Sequence, residues 1–216
     1  MRLFLVRHGE TAWNKDEVFR GQIDVPLNDH GLEQAQLASA ALGGVELAAV
    51  YASPLSRARE TARRIAEPHG LAVIAEAALT DLHYGSWQGI SHHDVKQRFP
   101  KEYEQWVTAP QQVRFAGGES LEDVKSRAMG AIEEIATRHA GKNVAAVTHR
   151  VVNKVLLCAL LGLDNSHFWS LHQDTCAINV VEKDARHGWI IRTLNDTSHI
   201  QPLASWFSRN KKTADF

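Results

Sequence analysis

The sequence is poor in the features that mark disulfide-stapled, secreted and membrane-spanning proteins. It has 2 cysteines among 216 residues, and both Cys158 and Cys176 stand in apolar segments, as small core residues do. No run approaches the roughly 18 consecutive apolar residues that a membrane-spanning helix needs. The apolar stretch at the N-terminus reaches Arg7 after about four residues, so it does not match a signal peptide.

An excess of charge of either sign is also missing. The formal net charge at pH 7 is -1, and no basic block stands before the C-terminal end. We therefore expect no nucleic-acid partner, no membrane association and a cytoplasmic location. The adjacent His92 and His93 stand at a predicted helix start, where a solvated first turn is favoured over a metal site because no companion ligand cluster follows. We expect no metal ion and no other cofactor.

What the sequence does contain is an alternation of short apolar strands and helical segments. Without a Pro/Gly/Ser-rich linker, this alternation predicts an α/β fold: a three-layer α/β/α sandwich around a mostly parallel central sheet. A hairpin within residues 176–194 adds one antiparallel strand. We expect a single domain over residues 1–205 and a flexible C-terminal tail over residues 206–216.

Three local predictions bear on the functional site. Ser53 is predicted to cap a helix that has Pro54 at its first position, and Ser120 is predicted to cap a long helix. Residues 100–115 show no periodicity and are predicted to be irregular. Residues 13–22 and 91–118, the two stretches with the least periodicity, are expected to supply the walls of a pocket.

Three predicted strands lead into polar residues of one kind, namely Arg7-His8, Ser53 with Arg57 one turn later, and Thr148-His149. Because the carboxyl ends of parallel strands share one edge of a sheet, we expect two arginines and two histidines to converge there. Guanidinium groups match phosphate oxygens bidentately and keep their charge, and the start of the second helix adds the positive end of its dipole. An imidazole in line with phosphorus can attack it and carry the phosphoryl group covalently. The pattern predicts a phosphate site with a histidine nucleophile.

Four segments resemble, in the same order, the motifs of the histidine phosphatase superfamily, also called the phosphoglycerate mutase-like family. They are Leu5-Val6-Arg7-His8-Gly9-Glu10-Thr11, Ser53-Pro54-Leu55-Ser56-Arg57-Ala58 with Thr61-Ala62, Gly85-Ser86-Trp87-Gln88-Gly89, and Val147-Thr148-His149. The resemblance extends from about Arg2 to Ile200. Within the superfamily, residues 168–200 are similar to small phosphatases such as the phosphoserine and α-ribazole phosphate types.

The resemblance implies a metal-independent phosphomonoesterase whose partner is a small-molecule phosphate monoester. In that family His8 would be the nucleophile that becomes phosphorylated. Arg7, Arg57 and His149 would bind the phosphoryl oxygens and stabilise the charge of the transition state.

The same resemblance assigns residues around the phosphate. Asn14 matches a family residue that hydrogen-bonds the phosphoryl group. Arg20 stands beside Gly21 at a position where relatives often have glutamine, and it would add a cation at the mouth of the phosphate-binding site.

The family also needs a general acid that protonates the leaving oxygen. Most relatives have a glutamate four residues before the first glycine of the third motif, where this chain has Asp81, one methylene shorter. Asp81 remains the candidate acid, and His83 is its substitute. Tyr84 fits either a substrate contact or a buried position, and Glu119 fits either a pocket contact or a loop that feeds the next helix.

Two other functions fit the same motifs. A phosphoglycerate mutase would return the phosphoryl group to a second hydroxyl, but such mutases tend to carry a longer insertion than residues 91–115 provide. A non-catalytic phospho-ligand-binding protein would have lost its acid; Asp81 favours this alternative and the intact His8 speaks against it. A homodimer paired through an edge strand also stays open.

Overall fold

The computed structural model describes residues 1–15 and 17–200, with only the backbone of Lys15. Its strands are β1 (Arg2–Arg7), β2 (Leu47–Ala52), β3 (Val73–Ala75), β4 (Asn143–Thr148), β5 (Ile178–Asp184) and β6 (Gly188–Asp196). Its helices are α1 (Ala12–Lys15), α2 (Asp29–Leu42), α3 (Ser56–Ala66), α4 (His92–Arg98), α5 (Pro100–Thr108), α6 (Leu121–Arg138) and α7 (Arg150–Leu160). The predicted domain boundary at residue 205 and the tail 206–216 lie outside the described residues.

The strands form one six-stranded sheet in the order β3-β2-β4-β1-β5-β6. The first four strands of the chain are mutually parallel, and β5 runs antiparallel to both of its neighbours, β1 and β6. This confirms the predicted mostly parallel sheet with one antiparallel strand.

Both faces of the sheet are covered by helices. Leu3 and Leu5 of β1 pack in a buried cluster with α6 and α7, whereas Phe4 and Val6 pack in a second cluster with α2 and α3. This alternation follows from the pleat of the strand, which points successive side chains to opposite faces. The three-layer prediction is confirmed. Within the described ranges, no helix is long and apolar enough to cross a membrane.

The register brings the three polar strand ends together. Arg7 at the end of β1 lies opposite Thr148 at the end of β4, and Ala52 at the end of β2 lies opposite Val147. The residues that follow these strands therefore emerge at one edge of the sheet, as expected for the carboxyl ends of parallel strands.

The predicted cap at Ser53 is wrong. Helix α3 begins only at Ser56, and the Ser53 hydroxyl instead lies 2.8 Å from Nε2 of His149. The start of α3 is held from another loop, where Oδ1 of Asp24 accepts hydrogen bonds from the backbone N–H and the hydroxyl of Ser56 at 2.8 and 2.7 Å. The local sequence does not distinguish a serine that bonds a distant residue from a serine that caps a helix.

The irregular stretch predicted after Pro100 is also wrong in its first part, where α5 forms with Pro100 at its first position. Proline suits the first position because an N–H there would have no hydrogen-bond partner within the helix. Near the end of α5, Trp106 is only 1% exposed and anchors the helix against the core. The Ser120 cap is confirmed: Ser120 and Asp123 exchange side-chain and backbone hydrogen bonds in a capping box at the start of α6.

Helix α2 contacts the loop that follows His8 at a point where only glycine fits. A Cβ on Gly31 would overlap the carbonyl oxygen of Glu10, and a Cβ on Gly9 would lie 2.5 Å from the carbonyl oxygen of Gly31. We predict that Gly31→Ala lowers the free energy of unfolding by about 1–3 kcal/mol, because the backbones must move apart.

The matched control for this substitution is Gly130→Ala in α6, where a Cβ meets nothing within 4 Å. It should stabilise the protein by about 0.5–1 kcal/mol, since alanine favours a helix interior. Urea midpoints for the two variants test the difference, and equal midpoints would contradict the close approach at Gly31.

Candidate active site

A cavity of about 530 Å³ opens beside the residues that follow β1 and β4. Among the residues that line it are seven predicted from the sequence: Arg7, His8, Asn14, Arg20, Gly21, Asp81 and Tyr84. The rest of the wall includes Trp13, Phe19, His92, Tyr103, Arg150 and His172. Seven of the lining residues come from the predicted stretch 13–22, whereas the second predicted stretch supplies only His92 and Tyr103.

His8 is held as a neutral imidazole with one nitrogen free to react. It is 1% exposed, and its Nδ1 lies 2.7 Å from the carbonyl oxygen of Gly9. Because a carbonyl only accepts, Nδ1 carries the hydrogen and Nε2 keeps its lone pair. Burial, followed by the nearby Arg57 cation, holds the pKa of His8 well below 6.5. The ring is therefore in the form that a nucleophile requires.

Arg7 presents a buried guanidinium to the same cavity. Its Nη1 donates to the carbonyl oxygen of Gln173 at 2.6 Å, and burial together with Arg150 and Arg20 lowers its pKa to about 9. The supporting Gln173 is itself fixed, because its side chain exchanges hydrogen bonds with Asn179 at 2.8 Å in each direction. A buried polar network thus sets the position of this cation.

Arg57 and His149 lie beneath the cavity rather than on its wall, and both are 0% exposed. Nη1 and Nη2 of Arg57 donate to the carbonyl oxygens of Ile23 and Gly21 at 3.0 and 2.7 Å. Nη2 also lies 3.4 Å from Oδ2 of Asp81. The predicted phosphate-binding arginine therefore also holds the candidate acid in place.

Asp81 lies near both Arg57 and His149 through one oxygen. Its Oδ2 lies 3.7 Å from Nδ1 of His149 as well as near Arg57, and its Oδ1 accepts from the N–H of Leu82 at 3.0 Å. The imidazoles of His149 and His8 are adjacent, with ring centroids 5.2 Å apart. The sequence-predicted nucleophile, acid and phosphate-binding residues are thus within one small cluster.

Four nitrogen atoms of this cluster are buried without a hydrogen-bond partner among the described residues: Nε of Arg7, Arg20 and Arg57, and Nδ1 of His149. Buried donors are costly to leave unpaired. Their concentration at one place is what a site that binds an anion would show.

Arg20 and Asn14 form the mouth of the cavity. The Arg20 guanidinium donates to the Thr11 hydroxyl and to Oδ1 of Asn14, the latter at 3.0 Å. Oδ1 of Asn14 also accepts from the N–H of Thr11 at 2.9 Å. With its oxygen engaged in this way, Asn14 has its amide nitrogen as the group that can donate to an anion.

Other candidates from the third motif behave differently. His83 does not line the cavity; its Nδ1 accepts from the N–H of Gly85 at 3.0 Å. Tyr84 lines the cavity although it is only 6% exposed, and burial raises its pKa above the usual range. Glu119 lies behind the wall, paired with Arg127.

The predicted solvated position of His92 is wrong. Its ring stacks on Phe19 with centroids 4.0 Å apart, and burial lowers its pKa to about 4. Its Nδ1 lies 3.5 Å from the Tyr103 hydroxyl. The position could not be found from the local pattern, because Phe19 reaches the ring from a distant loop. Among the described residues, no three potential ligand side chains are grouped so as to hold a metal ion.

The two buried histidines predict an acid-labile fold. The pKa values of His8 and His149 are both depressed, chiefly by burial, so the unfolded chain binds more protons than the folded chain just below pH 6.5. The free energy of unfolding should therefore fall as the pH is lowered from about 6.5 to 5, by up to about 1.4 kcal/mol per pH unit for each histidine.

Urea midpoints measured across this pH range test the prediction. His8→Ala should reduce the slope by one histidine's share, because it removes one of the two groups. An unchanged slope in that variant would show that His8 is not held neutral in the folded protein.

Comparisons with known proteins bear on the family and the fold of the chain. Residues 3–197 match the family model described as histidine phosphatase superfamily (branch 1). Phosphoserine phosphatase 1 of Hydrogenobacter thermophilus is 38% identical over 93% of this chain and 94% of its own length. The metal-independent phosphoserine phosphatase of Arabidopsis thaliana is 34% identical over 93% and 84% of the two chains. The solved alpha-ribazole phosphatase of Shigella flexneri superposes with a TM-score of 0.82 at 28% identity, covering 91% and 96%.

Proposed function

Because the chain belongs to the histidine phosphatase superfamily and is a phosphatase, we propose that it is a metal-independent phosphomonoesterase acting through a phosphohistidine on His8. The observation that carries the proposal is the tautomer of His8. Its Nδ1–H is engaged by the Gly9 carbonyl, so a buried, neutral Nε2 remains as the nucleophile.

In the first step the phosphoryl group of the ester lies among Arg7, Arg57 and His149, and Nε2 of His8 attacks phosphorus. The N–P bond forms as the bond to the ester oxygen breaks. The carboxyl proton of Asp81 passes to the leaving oxygen, so that a neutral alcohol departs. The arginine cations stabilise the charge on the equatorial oxygens throughout.

In the second step the Asp81 carboxylate takes a proton from water, and the water oxygen attacks phosphorus. The N–P bond breaks, His8 regains its lone pair, and inorganic phosphate is released. Asp81 is suited to both steps because it is buried and lies beside His149, a neighbour of His8.

The position of Asp81 favours it over His83 as the acid. Asp81 lines the cavity with Oδ2 near both Arg57 and His149, whereas the imidazole of His83 faces Gly85 outside the lining. The shorter side chain of aspartate is compatible with the role, because the backbone itself brings residue 81 to the cavity.

The test compares two esters in the presence of EDTA between about pH 4 and 9. O-Phosphoserine needs a protonated leaving group, whereas 4-nitrophenyl phosphate releases a phenolate that leaves without a proton. We expect the wild type to hydrolyse both. Asp81→Asn should lower kcat/KM for O-phosphoserine about 10²-fold and that for 4-nitrophenyl phosphate much less, while His83→Gln should resemble the wild type.

Each part of the proposal can fail separately in this assay. Turnover abolished by EDTA would contradict metal independence. Full activity of Asp81→Asn on O-phosphoserine would remove Asp81 from the acid role. Binding of phosphate without turnover of either ester would identify a phospho-ligand-binding protein instead.

A further inference from the structure

The segment that carries Asp81 contacts an ion pair, Arg127–Glu119, that lies outside the cavity. Arg127 on α6 donates through Nε to Oε1 of Glu119 at 2.8 Å and through Nη2 to Oε2 at 3.0 Å. Each side chain is 22% exposed, and neither lines the cavity. A bidentate pair of this kind fixes the plane of the guanidinium group.

Arg127 and Glu119 also form hydrogen bonds to the backbone on both sides of Asp81. Nη1 of Arg127 donates to the carbonyl oxygen of Ala78 at 2.6 Å, and Nη2 donates to the carbonyl oxygen of Asp81 itself at 3.1 Å. On the other side, the N–H of His83 donates to Oε2 of Glu119 at 2.9 Å, and the N–H of Glu119 returns a bond to the carbonyl oxygen of His83 at 2.9 Å. Residues 78–83 are therefore tied to one rigid pair.

Asp81 depends on such ties because it lies in neither a strand nor a helix. It lies between two short 3₁₀ turns, Ala77–Leu79 and Gly85–Trp87. Its carbonyl oxygen also accepts from the side-chain amide of Gln22 at 3.0 Å. An aspartate has one torsion fewer than a glutamate with which to correct a displaced backbone, so the backbone largely decides where its carboxyl group lies.

We propose that Arg127 and Glu119 are positioning residues that place the Asp81 carboxyl group for proton transfer to the leaving oxygen. The proposal rests on the proposed function, since it requires Asp81 to be the acid. Neither residue touches the substrate. Both act through the backbone of residues 78–83.

The experiment measures kcat/KM for O-phosphoserine and for 4-nitrophenyl phosphate, because kcat/KM covers the steps up to departure of the alcohol. Arg127→Gln should lower the value for O-phosphoserine at least about tenfold and that for 4-nitrophenyl phosphate less than about threefold. Glu119→Gln keeps the side-chain shape but replaces one of the two accepting oxygens by an NH₂ group, so it should show the same selectivity with a smaller loss.

The matched control is Arg114→Gln. Arg114 pairs with Asp123 at 2.9 Å near the start of α6, and in the described part of the chain it makes no hydrogen bond to residues 78–83. Both esters should be hydrolysed by this variant within about twofold of the wild-type value. Thermal melts of all variants show whether any loss reflects unfolding.

A loss that is equal for the two esters, in Arg127→Gln and in Glu119→Gln, would overturn the proposal and leave the pair a purely structural role. Unchanged kinetics would overturn it as well. Asp81→Asn in the same assay separates this failure from that of the proposed function. If Asp81→Asn is selective and the Arg127 and Glu119 variants are not, only the positioning role is wrong. If Asp81→Asn is not selective, both assignments are wrong.

Discussion

Replacing His8 by alanine is expected to lower kcat/KM at least about 10⁴-fold for both esters, because the substitution removes the proposed nucleophile. The loss should be independent of the leaving group, in contrast to that of Asp81→Asn. The fold should persist, since the backbone N–H of His8 keeps its bond to the carbonyl oxygen of Thr148 at 2.9 Å.

The control for this variant is His187→Ala, which removes an exposed histidine from the turn before β6. It should retain wild-type activity. Circular dichroism and a thermal melt establish that His8→Ala is folded. Turnover within about tenfold of the wild type in folded His8→Ala would refute the phosphohistidine mechanism.

Replacing Arg57 by methionine is expected to damage activity and stability together. The change keeps much of the side-chain volume but leaves the carbonyl oxygens of Gly21 and Ile23 and the carboxylate of Asp81 without their buried cation. Removing one partner from a buried charge pair costs about 3–5 kcal/mol. The proposed contact of Arg57 with the phosphoryl oxygens would be lost too, so kcat/KM should fall about 10³-fold as well.

Arg59→Met is the matched control, because Arg59 lies on the same helix but is exposed. It should change the free energy of unfolding by less than about 0.5 kcal/mol and leave the kinetics intact. Urea unfolding and steady-state kinetics on both variants give the comparison. If Arg57→Met and Arg59→Met unfold at the same urea concentration, then the buried network around Arg57 does not hold the loops of Gly21 and Asp81 together.

The sheet and its functional edge could be predicted because they depend on patterns that are local in the chain. Apolar runs that end in Arg7-His8 and Thr148-His149 predict strands whose carboxyl ends meet at one edge of the sheet. The structure has both strand ends side by side at that edge. The Ser120 cap is local in the same sense, because the residue it bonds, Asp123, is three positions away.

The failures have the opposite cause: in each, a distant residue decides the local outcome. The Ser53 hydroxyl bonds His149 and is not the side-chain cap of α3, and His92 is half-buried because Phe19 stacks on it. The ties of Arg127 to the carbonyl oxygens of Ala78 and Asp81 run to backbone atoms, which carry no side-chain signature. No spacing rule within the sequence would have joined these positions.

The measurement that tests the central claim most directly is the capture of the phosphorylated enzyme. The enzyme is mixed with 4-nitrophenyl phosphate in the presence of EDTA, quenched rapidly in base, and its peptides are analysed by mass spectrometry. Asp81→Asn is the most informative form, because the phenolate leaves without an acid while the attacking water lacks its base.

The account predicts a phosphoryl group on the peptide that contains His8, accumulating in Asp81→Asn and absent from His8→Ala. Turnover of 4-nitrophenyl phosphate by the wild type with no phosphorylated His8 peptide in either the wild type or Asp81→Asn would contradict it. That result would mean that water attacks the ester directly and that His8 has another role.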